Sequence, residues 1–142
     1  MSHANVYTDG SCINQGSAGK ARAGYGVFWG DNHANNRSGV VDGEQDSQRA
    51  ELRAAHMAIK TAIDKGYKSV TVHLDSTSVR DSLANSGSFQ SAPANHRDLL
   101  QSTNDLVRHS DIKVNFEHVR GHSGKYENEQ AHKLANAAAR GN

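Results

Sequence analysis

The feature that most limits the fold of this chain is the change of hydrophobic period at Ser47. Upstream, apolar residues come in short β-prone runs at 6–8 (Val-Tyr-Thr), 24–29 (Gly-Tyr-Gly-Val-Phe-Trp) and 38–41 (Ser-Gly-Val-Val), separated by Gly, Ser, Asp and Asn. From Ser47 onward Leu52, Ala55, His56, Ile59, Ala62 and Ile63 recur at helical spacing, with Ser47 placed to cap the start and Gly66 to follow the last turn. Val70, Val72 and Leu74 then alternate with Thr71, His73 and Asp75. A strand reached through so long a helix returns parallel, whereas strands joined by short turns return antiparallel. The pattern predicts a mixed sheet, antiparallel over its first three strands and parallel afterwards.

The rest of the chain continues the alternation. A short helix is predicted over 79–85, a Ser/Gly/Ala/Pro loop over 86–94, and an amphipathic helix over 97–109 with Leu99, Leu100, Thr103, Leu106 and Val107 inward. Ile112, Val114, Phe116 and His118 mark a fifth strand, 120–125 a Gly-containing loop, and 127–140 an Ala-rich helix that Gly141 can stop. The order β-β-β-α-β-α-α-β-α describes an α/β domain: a five-stranded mixed sheet with helices on both faces. A length of 142 residues, 35% of them hydrophobic, suits one domain over 1–142, and no repeat or linker divides it.

Charge and cysteine content narrow the function. Sixteen Lys and Arg against fifteen Asp and Glu leave a net charge of +1, which excludes a strongly basic coat, so any nucleic-acid contact must be local. One cysteine, Cys12, can form neither an internal disulfide nor a multi-cysteine zinc site, and the expected compartment is intracellular and reducing. No leader-like stretch and no apolar run of membrane length is present, so the expectation is a soluble domain without a targeting segment.

Asp9 and Asp75 each end a β-run and are followed at once by turn formers, Gly10 and Ser76. If their strands pair, two carboxylates meet at the sheet end where open α/β folds bind ligands, and a cation is needed to offset their repulsion. Glu51, near the start of the intervening helix, supplies a third. Any one of these acids alone reads as a cap, turn or solvated residue; three converging on one sheet end read as a site for a hard ion, Mg²⁺ or Mn²⁺.

Five segments then carry a resemblance: Tyr7-Thr8-Asp9-Gly10-Ser11, Gln48-Arg49-Ala50-Glu51-Leu52, Asp75-Ser76, Gly121-His122-Ser123-Gly124 and Asn128-Glu129-Gln130-Ala131. They resemble the motifs of type 1 ribonuclease H, in that family's order and over nearly the whole chain. The resemblance implies the ribonuclease H fold and metal-dependent cleavage of the RNA strand of an RNA/DNA hybrid, leaving 5′-phosphate and 3′-hydroxyl ends. It implies two Mg²⁺ ions about 4 Å apart, with Asp9 bridging them, Glu51 on the leaving side and able to accept from a ribose 2′-hydroxyl, and Asp75 completing the set. His122 matches the family's loop histidine, which aids proton transfer or product departure. His132 stands where the family usually places a fourth carboxylate, and an imidazole there favours softer ions than Mg²⁺, so the expectation is activity shifted toward Mn²⁺.

The same resemblance implies how the hybrid is held. Gly10, Ser11 and Cys12 would offer backbone groups to the minor groove, and Asn14, Gln15, Ser47 and Gln48 would read sugar hydroxyls and base edges. Asn95 resembles part of a pocket for a DNA phosphate, in which Asp46 replaces the usual Thr and should repel the phosphate. The basic, Trp-rich protrusion of many members is replaced by residues 86–93, without Lys or Trp. Trp29 is expected to pack, and Arg22, Arg49, Arg120 and Lys125 are the local cations nearest the site. Weak, salt-sensitive binding follows, which a separate hybrid-binding domain in a longer protein would offset; the domain itself is expected to be a monomer. His3, His33, His56, His73, His96, His109 and His118 read as surface or packing residues. Two alternatives stay open: a DNA-directed nuclease of the same superfold, and a catalytically silent hybrid-binding module.

Overall fold

A computed structural model of the chain describes residues 3–14, 20–84, 94–119 and 125–141. Gln15, Arg120, His122 and the 86–93 segment lie outside the described residues, as does the side chain of Asn95. The elements are β1 (His3–Ile13), β2 (Arg22–Phe28), β3 (Arg37–Val40), α1 (Ser47–Asp64), β4 (Ser69–Leu74), α2 (Thr77–Ala84), α3 (Ala94–Arg108), β5 (Lys113–His118) and α4 (Tyr126–Arg140). The sheet runs β3-β2-β1-β4-β5, antiparallel for β3-β2-β1 and parallel for β1-β4-β5, as the period change predicts.

Alternation sorts β1 and β4 into two faces. Val6, Val70, Val72 and Leu74 are wholly buried and pack with Leu52, Ala55 and Ile59 of α1 and Leu99 and Leu100 of α3. The opposite face is polar on β4 yet still buried at His73, whose ring stacks on Tyr7 at 4.3 Å and whose Nε2–H donates to Asn5 Oδ1 at 3.0 Å. Gly24 and Gly26 lie against α4, where an added Cβ on Gly26 would come within 2.7 Å of Ala135 N. Small residues on both sides, Gly on β2 and Ala131, Ala135 and Ala138 on α4, let helix and strand approach this closely. Gly141 ends α4 at φ 86°, the left-handed conformation glycine adopts without strain.

Two expectations change. The helix cap of α1 is Asp46, not Ser47: Asp46 is extended and its Oδ1 accepts from Gln48 N at 2.8 Å, while Ser47 is already the first helical residue. The first strand runs well past 6–8, so Gly10, Ser11 and Cys12 are strand residues paired with β2 rather than a turn. Trp29, just past the end of β2, packs as expected, between His33 and Tyr67.

His56, on α1, is buried and pairs with Thr103 Oγ1 at 2.9 Å. The Thr103 hydroxyl donates its one hydrogen to Leu99 O at 2.8 Å, so His56 Nδ1 must be the donor in the pair. Burial, with Arg53 and Lys60 nearby, lowers its pKa to about 4. Between about pH 6.5 and 4 the unfolded chain therefore binds a proton the native ring refuses, and stability falls as pH falls through that window, by roughly 3 kcal/mol at most. Urea unfolding at pH 7.5 and pH 4 should show that loss largely suppressed in His56→Leu. An equal pH dependence in both proteins would remove His56 as its source.

Candidate active site

The carboxylates are placed by the sheet register and by one close helix approach. β1 and β4 pair in parallel as far as Tyr7 with His73; two residues further along each chain bring Asp9 level with Asp75, just beyond the end of β4. Asp9 is thus interior to β1 and paired with β2 at Gly26, not terminal as its Asp-Gly-Ser sequence predicts. Gly10 lies under α1: a Cβ there would sit 2.6 Å from the Ala50 carbonyl carbon and nearer still to Glu51 N. That proximity brings Glu51 over the strand end. Ser76 Oγ accepts from Val79 N at 3.3 Å at the start of α2, fixing the backbone just after Asp75.

One carboxylate oxygen from each of Asp9, Glu51 and Asp75 lies within 4.8 Å of the others. Asp9 is 2% exposed and Glu51 6%, with Asp75 partly buried. Burial, and then the neighbouring Asp9 and Asp75 charges, hold the Glu51 carboxyl well above the usual carboxylate range. Its Oε2 is buried without a hydrogen-bond partner among the described residues. Three hard oxygen donors, one of them unsatisfied, fit a divalent cation of the Mg²⁺ or Mn²⁺ type.

His132, on the second turn of α4, does not join that cluster as a fourth equivalent donor. Its Nδ1 lies 2.7 Å from Asp9 Oδ2. Its Nε2 lies 3.0 Å from Asn136 Nδ2, and Asn136 Oδ1 accepts from Ser11 Oγ at 2.5 Å. Asn136 was not singled out by the sequence; the signal available was its position one helical turn after His132.

The other predicted contacts divide. Gln48 faces Ser76 and Ser78, whose hydroxyls donate to its Oε1 at 3.0 and 2.9 Å. Asn14 is left-handed at φ 62° and its Nδ2 donates to Lys20 O. Asp46 Oδ2 accepts from His96 Nε2 at 2.8 Å besides capping α1, so the carboxylate expected to repel a phosphate already has a hydrogen-bond donor. Burial raises the Cys12 thiol, leaving it protonated at neutral pH.

Arg49 is a correction. It is buried, its guanidinium grips Asp98 through two bonds of 2.8 and 3.1 Å, and its Nε donates to Asp42 O at 2.8 Å. The fork geometry makes this a specific tie between α1 and α3, which takes Arg49 out of the set of phosphate-facing cations. Lys125 lies 5.4 Å over the Tyr7 ring.

Comparison with known proteins agrees with this arrangement. The family pattern described as RNase H matches residues 1–140. Ribonuclease H of Schizosaccharomyces pombe is 37% identical over 144 residues, covering 94% of this chain and 52% of that protein. Ribonuclease H of Novosphingobium aromaticivorans is 33% identical over 148 residues, covering 98% of each. The solved structure of LC11-RNase H1 in complex with RNA/DNA hybrid has the same fold, with a TM-score of 0.72, 20% identity and 96% of each chain covered. The chain spans about half the length of the eukaryotic relatives it matches and nearly all of the Novosphingobium protein. With the strand order, the carboxylate cluster and these matches together, the chain belongs to the ribonuclease H family.

Proposed function

We propose that this chain hydrolyses the RNA strand of RNA/DNA hybrids, giving 5′-phosphate and 3′-hydroxyl ends. The observation that carries the reading is the meeting of Asp9, Glu51 and Asp75, from β1, α1 and the end of β4, around a buried unpartnered carboxylate oxygen. Two divalent cations held there would supply the Lewis acidity that activates water and stabilises the departing oxygen. Asp9, the most buried of the three, lies between Glu51 and the α4 side and would serve both ions. Glu51 stands at the strand end where a ribose 2′-hydroxyl can donate to it, the contact that separates RNA from DNA. Gln48 has its carbonyl oxygen taken by two serines, so its amide hydrogens are the groups left to offer acceptors in the minor groove.

The test is cleavage of an end-labelled hybrid at low salt in Mg²⁺, in Mn²⁺ and in EDTA. Metal-dependent scission confined to the RNA strand is the expected result. Scission of double-stranded DNA instead would assign a DNA-directed nuclease, and hybrid bound without scission in either metal a silent module. The imidazole of His132 in place of a fourth carboxylate leaves the cluster one negative charge poorer, and turnover at saturating Mn²⁺ is expected to exceed that at saturating Mg²⁺. Equal or better turnover in Mg²⁺ across full titrations of both ions defeats that preference. With Arg49 committed to Asp98, one candidate phosphate contact is lost among the described residues, and we expect weak hybrid binding whose salt dependence is shallow, because that slope scales with the number of phosphates neutralised. A hybrid-binding segment elsewhere in a longer protein would raise that affinity by tethering.

A further inference from the structure

We propose that Asn136, backed by Ser11, is a positioning residue that sets the tautomer of His132 and through it the orientation of the Asp9 carboxylate. The inference rests on the reading of Asp9 as a metal ligand given above. It goes beyond that reading by making His132 a hydrogen-bond donor to a ligand rather than a ligand itself.

The argument is a count of donors and acceptors along one chain of contacts. Ser11 donates its hydroxyl hydrogen to Asn136 Oδ1 at 2.5 Å, which turns the amide nitrogen of Asn136 toward His132. An amide nitrogen only donates, so His132 Nε2, 3.0 Å away, must be the acceptor and carry no hydrogen. In the neutral ring the hydrogen then resides on Nδ1, which lies 2.7 Å from Asp9 Oδ2, an acceptor. Each group in Ser11–Asn136–His132–Asp9 has one role, and reversing any member breaks its neighbour's bond. Asp9 is buried while the His132 side chain is 40% exposed, so the relay reaches the carboxylate from the open side of the site. Outer groups that orient a metal ligand in this way commonly change affinity or activity by about 10- to 100-fold when removed.

The geometry also separates the work of the two α4 residues. His132 contacts the ligand; Asn136 acts only through His132, one turn further along the helix. Without Asn136 the ring loses the donor aimed at Nε2, and the hold on the orientation that points Nδ1 at Asp9 is weakened. Ser11, two residues after Asp9 on β1, ties the far end of the relay back to the strand that carries the carboxylate.

The experiment uses four proteins: the wild type, Asn136→Leu, Asn136→Gln and Ser11→Ala. The first readout needs neither metal nor substrate: imidazole nitrogen chemical shifts of His132 by NMR at pH 8 in EDTA. The wild type should show one protonated nitrogen, Nδ1, and one bare nitrogen, Nε2; Asn136→Leu should average the two. The second is calorimetric titration with Mn²⁺ alone, where affinity should drop about tenfold in Asn136→Leu and by less in Ser11→Ala. The third is hybrid cleavage in Mn²⁺, where kcat should fall about tenfold in Asn136→Leu with KM unchanged, and Asn136→Gln should recover part of it. A hydrogen on Nε2 in the wild type, or an unchanged His132 spectrum and Mn²⁺ affinity in Asn136→Leu, would overturn the proposal. If instead the spectra and Mn²⁺ affinity behave as expected but hybrid is never cut, the relay stands and the nuclease reading fails.

Discussion

Asp9→Asn is expected to lower hybrid cleavage by at least about three orders of magnitude while leaving the fold intact. Asn matches Asp in size, and its Oδ1 can still accept from His132 Nδ1, so the packing of β1 against α4 has no reason to change. What is lost is the charge at the most enclosed point of the cluster. The same substitution removes one of the two carboxylates that crowd Glu51, and the metal-free variant should therefore unfold later than the wild type, by about 1 kcal/mol. Cleavage assays paired with thermal unfolding in EDTA check both halves. RNA-specific cleavage within tenfold of wild type would remove Asp9 from the chemistry, and lower stability in the variant would mean that the cluster is not strained by like charge.

Gly10→Ala is expected to cost about 3 kcal/mol of stability and most of the divalent-ion affinity together. The added carbon would meet backbone of Ala50 and Glu51, which cannot rotate aside, so α1 must lift from β1 and carry Glu51 away from Asp9. Gly26→Ala is the control, since its added carbon meets backbone of Ala131 and Ala135 on α4 instead. Denaturant unfolding should show comparable losses in both variants. Mn²⁺ titration should show the larger affinity loss in Gly10→Ala, and equal affinity losses would detach the role of Gly10 from Glu51.

Much of this was legible in the sequence where the signal is local or periodic. The helical spacing from Leu52 to Ile63 and the alternation of Val70, Val72 and Leu74 place α1 and β4 and imply the parallel crossover, because burial on one face sets both patterns. The three carboxylates were legible because each sits beside a recognisable element boundary or turn signal. What periodicity cannot carry is pairing between distant residues. The Arg49–Asp98 fork and the Ser11–Asn136 bond join positions far apart in the chain, and nothing in either local sequence announces the partner. Asp9-Gly10-Ser11 has the composition of a turn, yet β2 supplies hydrogen-bond partners through Ile13 and α1 covers Gly10, and tertiary packing overrides the local preference. Asp46 and Ser47 are both good capping types, and only the extended backbone at Asp46 decides between them.

The central place of β1 in the sheet has a consequence for how the protein matures. Its two halves are completed by different partners, the first by β4 and the second by β2, and the three acids meet only where those partnerships change over. A chain emerging from the ribosome with β1, β2, β3 and α1 in place has two of the acids and no crossover strand to bring the third. Competence to hold the ions thus arrives with the slow, long-range closure of β4 onto β1 rather than with the early hairpins. Ions that bind only the closed state act as a ligand for that closure, so the unfolding midpoint should climb with divalent-ion concentration. An unfinished chain, lacking that closure, cannot assemble the three-carboxylate cluster.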